Sequence, residues 1–351
     1  MEHLVRSCYK QGGYVFAKRA DSGSPQEGDL QVARLASNEN PDPPSPQAIA
    51  EAQKAVLTAN RYPDERVDIL LSALRSYYGD YTFVTGVGMD GVIETLVRTL
   101  VDPGEKVVVS TPTFSFYNIA AQAQSAKVVS VLRNDDFSVD PKAIIREGKN
   151  AKIIFLCSPN NPTGNASSVD CVNEILDNID GILFLDNAYV EFSGIDYLPL
   201  LKKHDNLVIG RTFSKVHSLA GLRIGYAFIP LWLQPYYMRA GTPFTVNSVS
   251  AAAAAAALTD RDHSDRYIDQ VKIWRNRFAQ KLKYPVLPSD ANFVMVDVSP
   301  ATSDEVVDKL AKRGVLVRSC RSFTGLANHY VRASIGEDWE NERFIQELNA
   351  I

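Results

Sequence analysis

Lys215 stands in Arg211-Thr212-Phe213-Ser214-Lys215, directly after the apolar run NLVIG (206–210). A lysine amine held in a turn of small residues is partly desolvated, which favours its neutral, nucleophilic form. Asp186 closes a second apolar run, GILFLD (181–186). A carboxylate emerging from a buried strand requires a cationic or hydrogen-bonding partner. Thr212, Ser214 and Arg223 have the chemistry of a phosphate cradle, with backbone N–H groups assisting. More such donors come from Gly88-Met89-Asp90 in TGVGMDGVIETL (85–96). Two other apolar runs lead into Thr111-Pro112-Thr113-Phe114 and into Ser158-Pro159-Asn160-Asn161-Pro162-Thr163-Gly164.

These clusters share a position. Each follows a run with the length and β-branched content of a buried strand: KVVVS (106–110), KVVSVL (127–132), KIIFLC (152–157), GILFLD, NLVIG and IGYAFI (224–229). Helix-like stretches such as SVDCVNEILDNI (168–179) lie between them. The alternation predicts an α/β fold: a mostly parallel mixed sheet, its strands buried on both faces and flanked by helices. In such sheets ligands bind outside the carboxyl ends of strands, so the clusters predict one shared site. Gly86, Gly88 and Gly91 also match the dinucleotide pattern G-x-G-x-x-G. That pattern needs an acidic residue closing the next strand, whereas Glu105 precedes that strand and Ser110 ends it. The segment reads better as a strand, a turn and a helix whose N-terminus faces a single phosphate.

The boundaries predicted are an N-terminal arm at 1–45, a large domain at 46–255 and a smaller α+β domain at 256–351, which the arm joins. SAAAAAAALTD (250–260) reads as a helix permitting close approach, either buried or at a dimer contact. Net charge is −4, which gives no electrostatic reason to expect nucleic acid. No apolar run approaches the ~20 residues that span a bilayer. The N-terminus lacks a signal-peptide core, and Cys8, Cys157, Cys171 and Cys320 are scattered. A cytoplasmic setting with no metal site is therefore expected.

A lysine amine, a carboxylate, a phosphate cradle and an aromatic face together answer to pyridoxal phosphate. At this point SPNNPTG (158–164), DNAY (186–189), TFSKVHSLAGLRIGY (212–226) and PSDANFVMV (288–296) resemble the fold-type-I pyridoxal-phosphate-dependent aminotransferases of class I/II. The resemblance runs from about residue 34 to the end. It implies that Lys215 bonds the cofactor aldehyde and then moves the proton, while Asp186 pairs with the pyridinium nitrogen. It places Asn161 and Tyr189 at the phenolic oxygen and Phe114 against the ring. Thr212, Ser214, Arg223 and the Gly88-Met89-Asp90 backbone would hold the phosphate. Tyr62 would reach that phosphate across a homodimer interface. Arg332 is similar to the arginine that takes the substrate carboxylate. Arg318 would bind a distal anion, and Tyr14 and Asn38 would lie on the substrate side. LASNENP (35–41), NRYP (60–63) and PSDANF tilt the resemblance toward histidinol phosphate as amino donor, with glutamate and 2-oxoglutarate as the other pair. A threonine-phosphate decarboxylase-like lyase and an aromatic amino acid aminotransferase are the alternatives. The chain departs from the family at Gly88-Met89-Asp90-Gly91, where G-x-G-S-D-E is usual, and at Val216-His217, where alanine and an aromatic residue usually follow the lysine.

Overall fold

A computed structural model describes residues 2–10, 13–17 and 31–351. Of the arm expected at 1–45, residues 1, 11–12 and 18–30 lie outside the described residues. The strands are β1 (Ala33–Arg34), β2 (Phe83–Val87), β3 (Lys106–Thr111), β4 (Lys127–Leu132), β5 (Ala151–Cys157), β6 (Ile182–Asp186), β7 (Leu207–Thr212), β8 (Ile224–Phe228), β9 (Phe293–Asp297), β10 (Val315–Leu316), β11 (Arg318–Ser319) and β12 (Tyr330–Ser334). Seven of them form one sheet in the order β2-β8-β7-β6-β5-β3-β4. From β4 to β7 neighbouring strands are parallel. β8 runs antiparallel to both β7 and β2.

Successive side chains of a strand point to opposite faces, so a continuous apolar run serves a sheet covered on both sides. Ile154, Leu156, Leu183 and Ile209 enter one core layer, whereas Ile153, Phe155, Phe184 and Val208 enter the other. β4 departs from the expectation of burial on both faces. It is an edge strand, with Lys127, Ser130 and Leu132 exposed and Val131 alone buried. Its sequence is as apolar as its neighbours', but with a strand on only one side it has less to pack against.

Two smaller sheets complete the fold. β11, β12 and β9 are antiparallel, and β1 pairs with β10 in parallel, Ala33 opposite Val315. The chain before position 35 is thereby tied to the C-terminal third. Leu35, Trp274, Phe293, Val306 and Phe344 share the core beneath these strands. The alanine-rich helix Ser248–Ala257 buries Ala251 to Ala254 and packs on the helices Pro46–Val56 and Asp68–Tyr78. Methyl side chains let three helices approach closely. Asn247 caps its start, accepting from Ser250 N at 2.8 Å.

Candidate active site

The carboxyl ends of β3, β5, β6 and β7 deliver the polar clusters to one rim. The turns interlock there. Asn160 Nδ2 donates to the Pro112 carbonyl at 2.9 Å, and Thr113 Oγ1 donates to Asn160 Oδ1 at 2.8 Å. These buried bonds fix the turn after β5 against the turn after β3.

β7 ends at Thr212, and the lysine turn leads back into β8. Ser214 N donates to Thr212 Oγ1 at 3.1 Å, and the two hydroxyls lie 3.0 Å apart. Arg223 adopts φ +50°, and its Nη2 donates to Asp90 Oδ2 at 2.8 Å. Glycines create the space for it. Gly88 has φ +67°, and a Cβ there would lie 2.5 Å from Arg223 Nη2. A Cβ on Gly225 would lie 2.5 Å from the Gly88 carbonyl carbon, so β8 and the start of the helix Gly88–Leu100 meet backbone to backbone. Met89 and Asp90, in the first turn of that helix, line the same cavity.

Lys215 Nζ donates to the Ser37 carbonyl at 3.3 Å and sits 5.7 Å from the centre of the Tyr189 ring. Burial, with Arg332 adding repulsion, pulls its amine down to about 8. Near neutral pH a usable fraction is therefore unprotonated. Asp186 is 3% exposed, and burial pushes its carboxyl up to about 6. Its hydrogen bonds come from uncharged donors, the Tyr117 hydroxyl to Oδ2 at 2.6 Å and Ala188 N to Oδ1 at 3.0 Å. Tyr117 is fully buried and stacked on Phe155 at 4.8 Å. Sequence reading missed it. The available signal was a tyrosine one turn beyond Phe114, on the helix Phe116–Ala123 that packs under β3.

Arg332 and Arg318 are neighbours across β11 and β12. Arg332 is 5% exposed; Nη1 donates to Asn161 Oδ1 at 2.6 Å and Nη2 to the Ala36 carbonyl at 2.7 Å, while Nε is buried without a partner. Asn161, expected at the cofactor, is thus also the holder of the expected carboxylate-binding arginine. Arg318 Nη2 donates to the Val15 carbonyl at 2.6 Å. Tyr14 beside it contacts Phe114 edge-on at 6.0 Å. The Tyr189 hydroxyl accepts from Asn38 Nδ2 at 3.1 Å. Asn38 is buried with φ +54°, which makes it an anchor of its loop as well as a wall of the site.

Every residue nominated from sequence, except Gly88 and Tyr62, lines a single cavity of about 410 Å³. Gly88 lies behind Arg223 and acts through the room it leaves. Tyr62 is 83% exposed and stacks on Phe244 at 4.8 Å, outside the cavity of its own chain. Met89 contributes backbone, because its side chain is buried in the core under the sheet. Glu39, Cys157 and Phe323 also line the cavity and were not nominated.

A reactive lysine, a buried carboxylate and clustered arginines at the strand ends of a mixed seven-stranded sheet define a class, and relatives agree with it. Residues 31–348 match the aminotransferase class I and II family, and the chain belongs to that family. Two relatives named histidinol-phosphate aminotransferase are similar along their whole length. The one from Methanoculleus marisnigri is 59% identical, covering 99% of both chains. The one from Methanosphaerula palustris is 56% identical, covering 100% of both. A crystal structure of histidinol-phosphate aminotransferase from Sinorhizobium meliloti, in complex with pyridoxal-5'-phosphate, superposes with a TM-score of 0.83 at 27% identity, covering 91% of each chain. Among the described residues no helix is long and apolar enough to cross a membrane.

Proposed function

We propose that this chain is a pyridoxal-phosphate-dependent aminotransferase that moves an amino group between histidinol phosphate and 2-oxoglutarate, a step of histidine biosynthesis. The carrying observation is Asp186, a carboxyl buried beneath the cavity of Lys215 with only neutral hydrogen-bond donors and an affinity for protons raised to about 6. Such a group calls for a cationic hydrogen-bond donor, and among the described residues none donates to it. A pyridinium N–H meets that need. The cradle fits a phosphate as well: Thr212 and Ser214 hydroxyls, Arg223 and a helix N-terminus line one rim, and a Cβ at Gly88 would fill the space Arg223 occupies.

When bound, the cofactor supplies an aldehyde that joins amines covalently and a ring that withdraws electrons from the substrate carbon. Asp186 would hold the proton on the ring nitrogen. Asn161 Nδ2 and the Tyr189 hydroxyl would hold the phenolic oxygen, and Phe114 would cover one ring face. Lys215 would take the proton from the substrate carbon and return it elsewhere, and its lowered proton affinity suits it to both tasks. Arg332 binds the carboxylate of glutamate, and Arg318 binds the distal anion, phosphate or carboxylate. The same residues would serve both half-reactions in turn, one for each amino donor.

A homodimer completes this reading, with Tyr62 reaching the partner's phosphate. Its exposure, together with that of Val56, Leu57 and Phe244, supports a surface awaiting a second copy. The division at about residues 45 and 255 is supported by the separate core under β9 and β12. Free, scattered cysteines support a cytoplasmic setting. The test is a half-reaction panel on cofactor-loaded protein. Histidinol phosphate should convert the cofactor spectrum, and Lys215→Ala should slow that conversion by at least about a thousandfold. Carbon dioxide release from threonine phosphate, or conversion by phenylalanine in preference to histidinol phosphate, would instead support the lyase or the aromatic aminotransferase.

A further inference from the structure

Three acidic side chains line the cavity: Glu39, Asp90 and Asp186. Asp90 is taken by Arg223 and Asp186 by Tyr117. The Glu39 carboxylate accepts no hydrogen bond and forms no ion pair among the described residues. Its field nevertheless reaches Lys215, whose proton affinity it supports more than Asp90 does. The carboxylate lines the cavity within electrostatic reach of the Lys215 amine while staying open to solvent.

The backbone that carries it is fixed. The Tyr267 hydroxyl donates to the Glu39 carbonyl at 3.2 Å, and Asn40 Nδ2 donates to the Val216 carbonyl at 3.2 Å. On the other side Asn38 N donates to Ser334 Oγ at 2.8 Å, and the Asn38 carbonyl accepts from Asn292 at 3.1 Å. A long acidic side chain on an immobilised loop, facing a cavity and left without a partner, is placed for a ligand group that donates a hydrogen bond. The other charges in the cavity do not compete for this role. Arg223 and Asp90 offset each other, and Arg318 and Arg332 offer sites for anions.

We propose that Glu39 is a specificity-determining residue whose carboxylate accepts a hydrogen bond from a ring N–H of the amino donor's imidazole. This rests on the substrate reading above. Histidinol phosphate offers an anion for the arginines and an N–H donor for Glu39. Glutamate offers anions at both ends, and its side-chain carboxylate gains nothing from Glu39 and is repelled by it. One residue thus separates the two amino donors that must share the site.

The experiment uses cofactor-loaded full-length protein, wild type and Glu39→Gln, titrated separately with histidinol phosphate and with glutamate while the cofactor spectrum is followed. The variant should bind histidinol phosphate roughly tenfold more weakly, the loss of one charge-assisted hydrogen bond. Its affinity for glutamate should hold or tighten. Glu39→Asp, which keeps the charge on a shorter stem, should recover part of the preference. Equal weakening for both donors overturns the proposal, since Glu39 would then act through Lys215 or through the loop. No change for either overturns it too. Wild-type protein that reacts with glutamate but not with histidinol phosphate would sink the substrate reading, and this proposal with it. Glu39 is exposed, and its side chain holds no other element, so the variants should fold; matching unfolding midpoints check this.

Discussion

Arg211, in β7, and Arg223, just before β8, flank the lysine turn and meet opposite surroundings. Arg211 is 7% exposed, lying over the rings of Tyr78 at 5.2 Å and Phe228 at 5.5 Å. Its Nη1 donates to the Tyr78 hydroxyl at 3.1 Å and lies 3.9 Å from Glu191. Tyr78 in turn meets the Tyr226 hydroxyl at 2.8 Å. This arginine is enclosed by protein and does not line the cavity. Arg223 leaves half its side chain open to the cavity and uses one nitrogen on Asp90. The enclosed charge holds the lysine turn in shape, and the open one has donors left for a ligand. Enclosure among tyrosines and a carboxylate marks architecture, even with Arg211 Nε left unpartnered, and an open charge with spare donors marks a site.

The largest expected effect falls on the enclosed side. Arg211→Met leaves Glu191 and two tyrosine hydroxyls without their cation and should cost about 3–5 kcal/mol of stability. Urea unfolding measures this, and refolded protein should keep near-normal cofactor affinity. A loss of affinity with stability intact would erase the distinction between the two arginines. Arg223→Met should do the reverse. The unfolding midpoint should stay close to wild type, while the dissociation constant for pyridoxal phosphate rises roughly thirtyfold, as for a lost charge-assisted contact.

Asp186 sharpens the contrast, because a site residue should cost stability while it waits. Its folded proton affinity is raised to about 6, so the cost is absent below about pH 4 and complete above about pH 6. Cofactor-free Asp186→Asn should therefore unfold later than wild type at pH 7, by about 2–3 kcal/mol, with the gap closing toward pH 4. The same substitution should weaken cofactor binding.

His217 gives the smallest and most local effect. Burial, with His263 and Arg211 adding repulsion, pulls its ring down to about 4. A base that resists protonation when folded contributes stability above its ordinary value of about 6.5 and loses it as pH falls toward 4. Between pH 6.5 and 5 the protein should lose about 2 kcal/mol through this ring. Thermal scans of His217→Gln, with a flatter pH profile expected, check it.

Much of the site was legible because strand-end clusters keep their polarity on the page. Lys215, Asp186 and the Thr212–Ser214 pair follow apolar runs, and a buried strand leaves its last side chain nowhere to go but the rim. Other features carried no such mark. Tyr117 reads as one more aromatic on an amphipathic helix, and only the packing of that helix under β3 brings its hydroxyl to Asp186. β4 reads like β5, yet sheet order makes it an edge. Asn161 and Arg332 are far apart in sequence and meet because the fold brings the side chain of Arg332, on β12, to the turn after β5.

The sequence by itself determined which residue types stand where a parallel sheet presents its ligands, because apolar periodicity fixes strands and strands fix their ends. The tertiary structure alone decided which of those groups are already satisfied and which remain open. That depends on partners brought from elsewhere in the chain, as Tyr78 and Glu191 are to Arg211 while, among the described residues, none comes to the carboxylate of Glu39.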